Sequence, residues 1–591
     1  MLSKPIERLF WLSLVWAPSF GQTASLSDKA ISNCPPLGPV LPAPKNPYSN
    51  PIVKATIEGI TAALKSNVTL LGNATALSLG ITSIYEDKPM LSFSYTPTVF
   101  NKSGTHKVDG DTVFRIGSVS KTFTVLALQL LGGKVNMADP ITKYIPELCS
   151  LSREQSVKNE VTTVDWHVIT LDSMASQLSG IGYDFGDDIA NINHSLTKDG
   201  LPALKPGQYS ACGALDINRP CTWNDFWNTY GKRYPVYAPY TTPAYTNMAY
   251  DLLGMVIERV SKKTYAQFVQ EKIFKPLQLS HTFTTKPAND KLGFIPTLNN
   301  WWSTSYGFLE ADGGYYSSAN DLLEFGRGIL TNKLLSPAAT RAWLKPRTHT
   351  SSLGLSVGAP WEIGRTTSLT SDGRVIDVYT KNGGLGGYNT LFLLLPDYDL
   401  VLSLVMGGES SSLGIELVIA SQVLTNLVPA IEAAGKADAI QQFAGQYIDK
   451  ASNSSISLKV DDGPGLLVQS WYSLGKDVLA SYADIVANSP GGAFSAGSAQ
   501  EYLSIRLYPT GLQEGKIASW RAVYDSTAPD SVKDQSAGLF IIQGLCQTWS
   551  SLDNVVYGLR ALDHFIFETN GSGSATAITP TAFGHKLTRK A

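Results

Sequence analysis

Residues 114–133 read FRIGSVSKTFTVLALQLLGG, and no other stretch of the chain says as much about its architecture. Phe114-Arg115-Ile116 reads as a short strand closed by Gly117. Lys121 to Leu131 reads as a buried helix, because Phe123, Val125, Leu126, Leu128, Leu130 and Leu131 are apolar. Gly132-Gly133 stops that helix. Ser118 and Lys121 stand at its start. Residues i and i+3 share a helix face, so an amine stands beside a hydroxyl that needs a base within reach to become a nucleophile. A serine at a helix start also lies where backbone N–H groups point outward, which suits a developing oxyanion. The same residue serves equally as a helix N-cap, and spacing alone favours that reading. Ser195 with Lys198 and Ser473 with Lys476 repeat the spacing. Neither has a strand and glycine before it or a long apolar helix after it.

Two later strings complete a constellation. The first is Tyr245-Thr246-Asn247. A tyrosine near positive charge loses its proton more easily and can then act as general base and acid. Taken alone it is one more ring among Tyr230, Tyr234, Tyr237, Tyr240 and Tyr250. The second is Lys381-Asn382-Gly383, which follows the strand-like VIDVYT and precedes a glycine-rich turn. Gly383, Gly384, Gly386 and Gly387 allow a backbone to approach a ligand closely. Taken alone that string is a hairpin with a solvated lysine. In chain order the three put a serine, two lysines and a tyrosine into one candidate site, able to make and break acyl bonds without histidine, metal or cofactor.

In that order the motifs resemble the serine β-lactamase, penicillin-binding protein and class C-like esterase superfamily, whose signature is S-x-x-K, a central Y-x-N or S-x-N, and K-T-G. Further matching segments are Asp139 to Glu147, Thr170-Leu171 through Leu178-Ser179-Gly180, Tyr250 to Gly254, and Asp312-Gly313-Gly314 through Leu322. The resemblance covers residues from about 45 to about 430. It implies that Ser118 is the acyl-accepting nucleophile and that Lys121 helps deprotonate it. Tyr245 would carry the proton to the leaving group and activate the deacylating water. Asn247 would orient the substrate, and Lys381 would hold a substrate carboxylate and tune Tyr245. Asn382, Gly383 and Gly384 would line the substrate site, with the N–H groups of Ser118 and Gly384 forming the oxyanion hole. Two departures stand out. Asn382 replaces the usual hydroxyl residue between Lys and Gly, which puts β-lactam hydrolysis in more doubt than acyl chemistry in general. Gln177-Leu178-Ser179-Gly180 alters the usual histidine-containing pattern, which reads as a structural change.

Composition narrows the classes. The chain has 591 residues, 43% of them hydrophobic, enough to bury a large core and form two domains. Formal net charge is −2 and only 16% of residues are charged, with no basic stripe, so nucleic-acid binding has no electrostatic footprint. Lys4 and Arg8 precede the apolar run Leu9 to Trp16, with small residues at Ser19 and Gly21. That is the layout of a secretory signal peptide over 1–21, with an uncleaved anchor as the alternative. The expected product is a secreted protein with no stable membrane span after cleavage.

In that compartment Cys212 and Cys221 are the best candidates for a disulfide, since they flank a short Asn-Arg-Pro loop. Pairing among Cys34, Cys149 and Cys546 is open. No zinc-ligand spacing appears, so no metal is expected. Asn67, Asn73, Asn101, Asn193, Asn453 and Asn570 each sit in an N-x-[ST] sequon, glycosylation sites if the host is eukaryotic.

Along the chain, 34–50 reads as an extended Pro-rich segment and 51–66 as a helix. Runs at 74–85 and 89–97 read as strands, 185–240 as an insertion near the site, 388–395 and 400–406 as strands, and 412–431 as a closing helix. After Ala433-Ala434-Gly435 short alternating runs dominate: ISLKV, LLVQSW, YLSIRLY, SWRAVY, LFIIQ and HFIFET. The expected organisation is a catalytic domain over 22–435 and an antiparallel β domain over 436–591. The fold class is mixed α/β, in the α+β sense. The resemblance implies an antiparallel sheet flanked by helices beside an all-helical lobe, with the site between them. The expected activity is that of a serine hydrolase of the β-lactamase-like family, acting on a small-molecule or peptide acyl substrate. Acyl transfer to another acceptor, a catalytically silent binding or sensor module, and a structural cell-surface protein are the alternatives.

Overall fold

The computed structural model describes residues 34–151, 159–184, 186, 188–192, 196–213, 219–298, 300–305, 307–308, 310–487, 504–525 and 548–590. The expected signal peptide, Asn193, Ser195, Cys546 and the run LFIIQ lie outside the described residues.

The helix expected at 51–66 is α1, Pro51–Asn67, opened by Asn50, whose side chain accepts the Ile52 N–H, and by Pro51 at its first position. Eight antiparallel strands then form the central sheet. They are β1 (Ala76–Ser83), β2 (Leu91–Tyr95), β5 (Thr348–His349), β6 (Leu355–Val357), β7 (Glu362–Thr366), β8 (Ile376–Leu385), β9 (Tyr388–Leu395) and β10 (Leu400–Gly407). Between β2 and β5 in the chain, β3 (Val113–Arg115) and β4 (Tyr316–Ser318) pair in a small ribbon of their own. The spatial order β2-β1-β10-β9-β8-β7-β6-β5 places the first two strands beside the last.

Both faces of this sheet are covered, which is why β9 and β10 read as continuous apolar runs rather than alternating ones. One set of side chains, including Leu77, Leu79, Ile81, Leu391, Leu393, Leu402 and Leu404, packs with α1. The other set, including Phe392, Leu394, Val401 and Val405, packs against the helices that carry the site. Gly80 shows how close the second layer comes: a Cβ there would lie 2.7 Å from Leu323 Cδ1. Overpacking of that kind is destabilising, by about 1–3 kcal/mol.

On the site side lie α2 (Ser120–Gln129), α3 (Met248–Ser261), the single turn α4 (Glu310–Gly313) and α5 (Ala319–Leu330). Every residue of α2 from Ser120 to Leu128 is buried, so this helix is core on all faces. Phe123 stacks on Phe325 of α5 with ring centroids 3.8 Å apart. The described residues of the 185–240 segment form short helices and loops, and a disulfide joins Cys212 to Cys221, with Cα atoms 5.0 Å apart. Cys34 is also disulfide-bonded, and Cys149 is free.

The closing helix is longer than the sequence suggests. It runs as α6 over Leu413–Gln442, through Pro429 and past Gly435. Val423, Leu427, Val428 and Ile431 sit in the central core, whereas Ala439 and Phe443 sit in the core of the C-terminal sheet. The composition shift at 433–435 therefore falls inside one continuous helix. Tertiary packing on two cores sustains it where propensity predicts a break. It is also the single described helix long and apolar enough to cross a membrane; half of its most apolar window is buried inside the protein.

The C-terminal region is β-rich, as expected. In the described residues from Gly445–Asp449 to Leu587–Arg589, nine antiparallel strands form one sheet and two more, Val556–Tyr557 and Arg560–Ala561, a small ribbon. Tyr447, Trp471, Trp520, Phe565 and Phe567 fill its core. The Pro-rich segment, expected to be extended, bends repeatedly and ends in a helical turn at Pro47–Ser49; it anchors here, where Leu41 joins this core and Val40 packs on Tyr508 and Val523.

Candidate active site

Ser118 lies in a tight turn, Gly117–Val119, that leads directly into α2. It does not cap the helix: the position before the first α-helical residue is Val119, and no side chain caps there. Its hydroxyl instead meets Lys121 Nζ at 3.0 Å and Tyr245 Oη at 2.9 Å. Of the two repeats of the spacing, Ser473 lies on a strand and pairs with Lys476 across a hairpin. No helix brings that lysine to that hydroxyl.

Glycines let the Ser118 turn nest on β8. Gly117 has φ +49°, and a Cβ on it would lie 2.8 Å from Gly384 N. A Cβ on Gly383 would lie 2.0 Å from Ile116 O and 2.7 Å from Ser118 N. Only bare backbone allows this approach, and it packs Gly117 against Gly384 and Gly383 against the Ser118 amide. The glycine-rich string is thus mostly strand. β8 continues through Leu385, with Gly383 opposite Thr390 and Gly384 opposite Asn389, and the hairpin turn is confined to Gly386-Gly387. The sequence reading placed the turn too early because glycine normally weakens a strand.

Lys121 is fully buried and its ammonium is saturated. Besides Ser118 it donates to Asn247 Oδ1 at 2.7 Å and to the Asp312 carbonyl at 2.6 Å. Asn247, expected to meet substrate, is held between Lys121 and Asp184, to which its Nδ2 donates at 2.9 Å. Burial opposes the charge on Lys121, but Tyr245 and Asp312 outweigh it, and its pKa is raised. Burial alone would raise the Tyr245 pKa, yet Lys121 and Lys381 together bring it below the usual phenol value. The two ammonium groups lie 5.2 and 5.5 Å from the Tyr245 ring centroid.

The Tyr245 loop is fastened by Gln177, the altered position of the earlier motif. Gln177 Oε1 accepts the Thr246 N–H at 2.7 Å, and its carbonyl accepts the Ala244 N–H at 2.8 Å. Tyr183 packs its ring 5.5 Å from that of Tyr245.

Lys381 differs from expectation. Its ammonium is buried and bonds Glu362 Oε1 at 2.6 Å and the Asn382 carbonyl at 2.8 Å. Glu362 Oε2 also accepts the Asn382 N–H at 3.1 Å and its side-chain amide. The chain itself therefore supplies a carboxylate where a substrate carboxylate was expected. Sequence reasoning missed Glu362, since one glutamate 19 residues upstream carries no motif. It also missed Asp184, which holds Asn247, and the pair Asp251 and Asp312, whose charges act on Lys121. Both members of that pair are buried, and burial pushes Asp312 up to about 7 and Asp251 well above its ordinary value. Among the described residues no group of three His, Cys, Asp or Glu side chains is placed to hold a metal ion.

Of the six sequons, Asn73, Asn453 and Asn570 are exposed, and Asn67 and Asn101 are half-buried.

Comparison with known proteins adds three findings. A family model described as beta-lactamase matches residues 89–416, and one described as a beta-lactamase-like C-terminal domain matches 435–591. The chain is 30% identical to a beta-lactamase-like protein of Arthroderma benhamiae, over 94% of this chain and 95% of that one. It is 27% identical to a probable hydrolase of Cochliobolus lunatus, over 83% and 81% respectively. Among solved structures, a beta-lactamase/D-alanine carboxypeptidase of Yersinia pestis superposes with a TM-score of 0.47 at 19% identity, over 64% of this chain and 99% of that chain.

Proposed function

Because the chain belongs to the beta-lactamase family, we propose that it is a secreted serine hydrolase that cleaves an ester or amide bond through an acyl intermediate on Ser118. The observation that carries the reading is the convergence of Lys121 Nζ and Tyr245 Oη on one hydroxyl, at 3.0 and 2.9 Å. The raised pKa of Lys121 and the lowered one of Tyr245 support a division of their parts. Lys121 stays an ammonium, so it acts by charge, and Tyr245 is the base. Ser118 Oγ attacks the carbonyl carbon while its proton passes to Tyr245. The Ser118 and Gly384 N–H groups receive the oxyanion. Tyr245 then gives the proton to the leaving alcohol or amine. In the second half Tyr245 takes a proton from water, the hydroxide attacks the acyl carbon, and the proton returns to Ser118. Transfer to another acceptor shares the first half-reaction.

The Cys212–Cys221 bridge supports an oxidising compartment, in keeping with the leader-like residues 1–21, the catalytic region 22–435 and the β region 436–591 proposed as its parts. A fluorophosphonate probe tests the reading. Labelling should map to Ser118 and vanish in Ser118→Ala. No labelling, or labelling on Ser473, refutes it and favours a silent binding module.

A further inference from the structure

The carboxylate of Glu362 stands where a substrate's own negative charge would otherwise be received. Lys381 is buried, with its side chain 1% exposed, whereas the Glu362 side chain is 24% exposed. A molecule entering this end of the site therefore meets the carboxylate and not the ammonium behind it. The glutamate is held by three bonds. Lys381 Nζ, the Asn382 N–H and the Asn382 side-chain amide all donate to it. Its backbone is equally fixed, since Glu362 pairs with Thr380 and its carbonyl accepts the Thr380 hydroxyl at 2.7 Å. Beyond Glu362 the neighbouring strand ends, preceded by Trp361 and Pro360, so no ladder partner from β7 faces Asn382. The glutamate side chain takes that place. Asn382 has an amide donor that a threonine or serine would not offer in the same reach, so the departure at 382 and the glutamate at 362 form one device.

The geometry points to Glu362 as a specificity-determining residue that reserves this end of the site for uncharged or cationic acyl substrates and turns anionic ones away. This rests on the acyl-serine reading above. A carboxylate placed beside Glu362 would meet like charge at close range, and it would have to compete with Glu362 for Lys381 and Asn382, both of which already donate to that glutamate. Like-charge juxtaposition of this kind is a strong means of rejection. Lys381 keeps its other role, since its ammonium still lies 5.5 Å from the Tyr245 ring centroid. Fixing Lys381 by an internal partner removes the need for a substrate anion to hold it in place.

Three matched acetyl esters test this: those of 3-hydroxybenzamide, 3-hydroxybenzoate and 3-hydroxybenzylammonium. They share the scissile bond and differ in charge at the far end. Wild-type protein should show kcat/KM for the benzamide ester and the benzylammonium ester at least about tenfold above that for the benzoate ester. In Glu362→Gln the benzamide-to-benzoate ratio should fall about tenfold or more, carried mainly by KM of the benzoate. Any effect of the substitution on the chemistry common to both esters cancels in that ratio. A wild-type enzyme that takes benzoate as well as benzamide overturns the proposal, and so does a ratio unchanged in a folded Glu362→Gln. The wild-type ranking of the three esters stands on its own if the variant does not fold. Failure of the parent reading looks different: Ser118 would not label with fluorophosphonate and none of the three esters would turn over, which rejects both readings together.

Discussion

Tyr245 and Lys121 approach one hydroxyl from two sides, and each holds the other's charge. Lys121 lowers the pKa of the tyrosine, and Tyr245 raises that of the lysine. A phenolate beside a buried ammonium is a mutually supporting ion pair, and Ser118 lies between its two ends.

Tyr245→Phe removes the proposed proton carrier and, with it, one of the charges that support the buried Lys121 ammonium. Losing a positioned general base typically costs about 10²–10⁴ in rate. Ester turnover should fall by that range while the melting temperature changes by only a few degrees. Wild-type turnover in the variant would return Tyr245 to the aromatic cluster around it.

Lys381→Met should move the acid limb of the pH profile. Lys381 lowers the Tyr245 pKa, so its removal lets that pKa rise. With the deprotonated tyrosine as the proposed base, the limb of kcat/KM against pH should shift toward higher pH. A limb that stays in place, or moves down, contradicts the assignment of Tyr245 as base.

Gly383→Ala should be worse than a strand glycine normally predicts. A Cβ at this position falls 2.0 Å from the Ile116 carbonyl oxygen, a backbone atom that cannot swing away. The Ser118 turn must lift off β8, which separates the two amides proposed to receive the oxyanion. We expect a loss of about 1–3 kcal/mol in stability. Turnover should fall about 10²–10³-fold, the cost typical of losing one oxyanion donor. Chemical denaturation and ester kinetics on one preparation measure both.

Asp312→Asn should stabilise the protein at neutral and alkaline pH. The folded-state pKa of Asp312 is pushed by burial to about 7, against an ordinary value of 3.8. The folded protein therefore holds a proton that the unfolded chain releases. The stability linked to it is full below about pH 4 and is lost as pH rises through about 7. The amide carries no such penalty. Wild type and variant should melt together near pH 4, and the variant should melt higher at pH 8. Equal melting temperatures at both pH values would remove Asp312 from the titration.

The motif pattern held much of this protein. Helix α2 was legible because Phe123, Val125, Leu126, Leu128, Leu130 and Leu131 crowd a short stretch between a strand and two glycines, which admits few other readings. The strands at 76–83, 388–395 and 400–407 were legible from β-branched and leucine-rich runs, and the disulfide from two cysteines nine residues apart. The juxtaposition of Ser118 with Lys121 follows from helical geometry alone, because three residues along a helix is a local distance. Glu362, Asp184, Asp312 and the length of α6 were not legible. Each depends on contacts between residues far apart in the chain: 19 positions for Glu362 and Lys381, 191 for Lys121 and the Asp312 carbonyl. Local pattern reports what a residue prefers among its neighbours in the chain. Whether a lone glutamate faces water or a buried lysine, and whether a helix ends at Gly435 or runs on between two cores, is decided only when distant strands and helices pack.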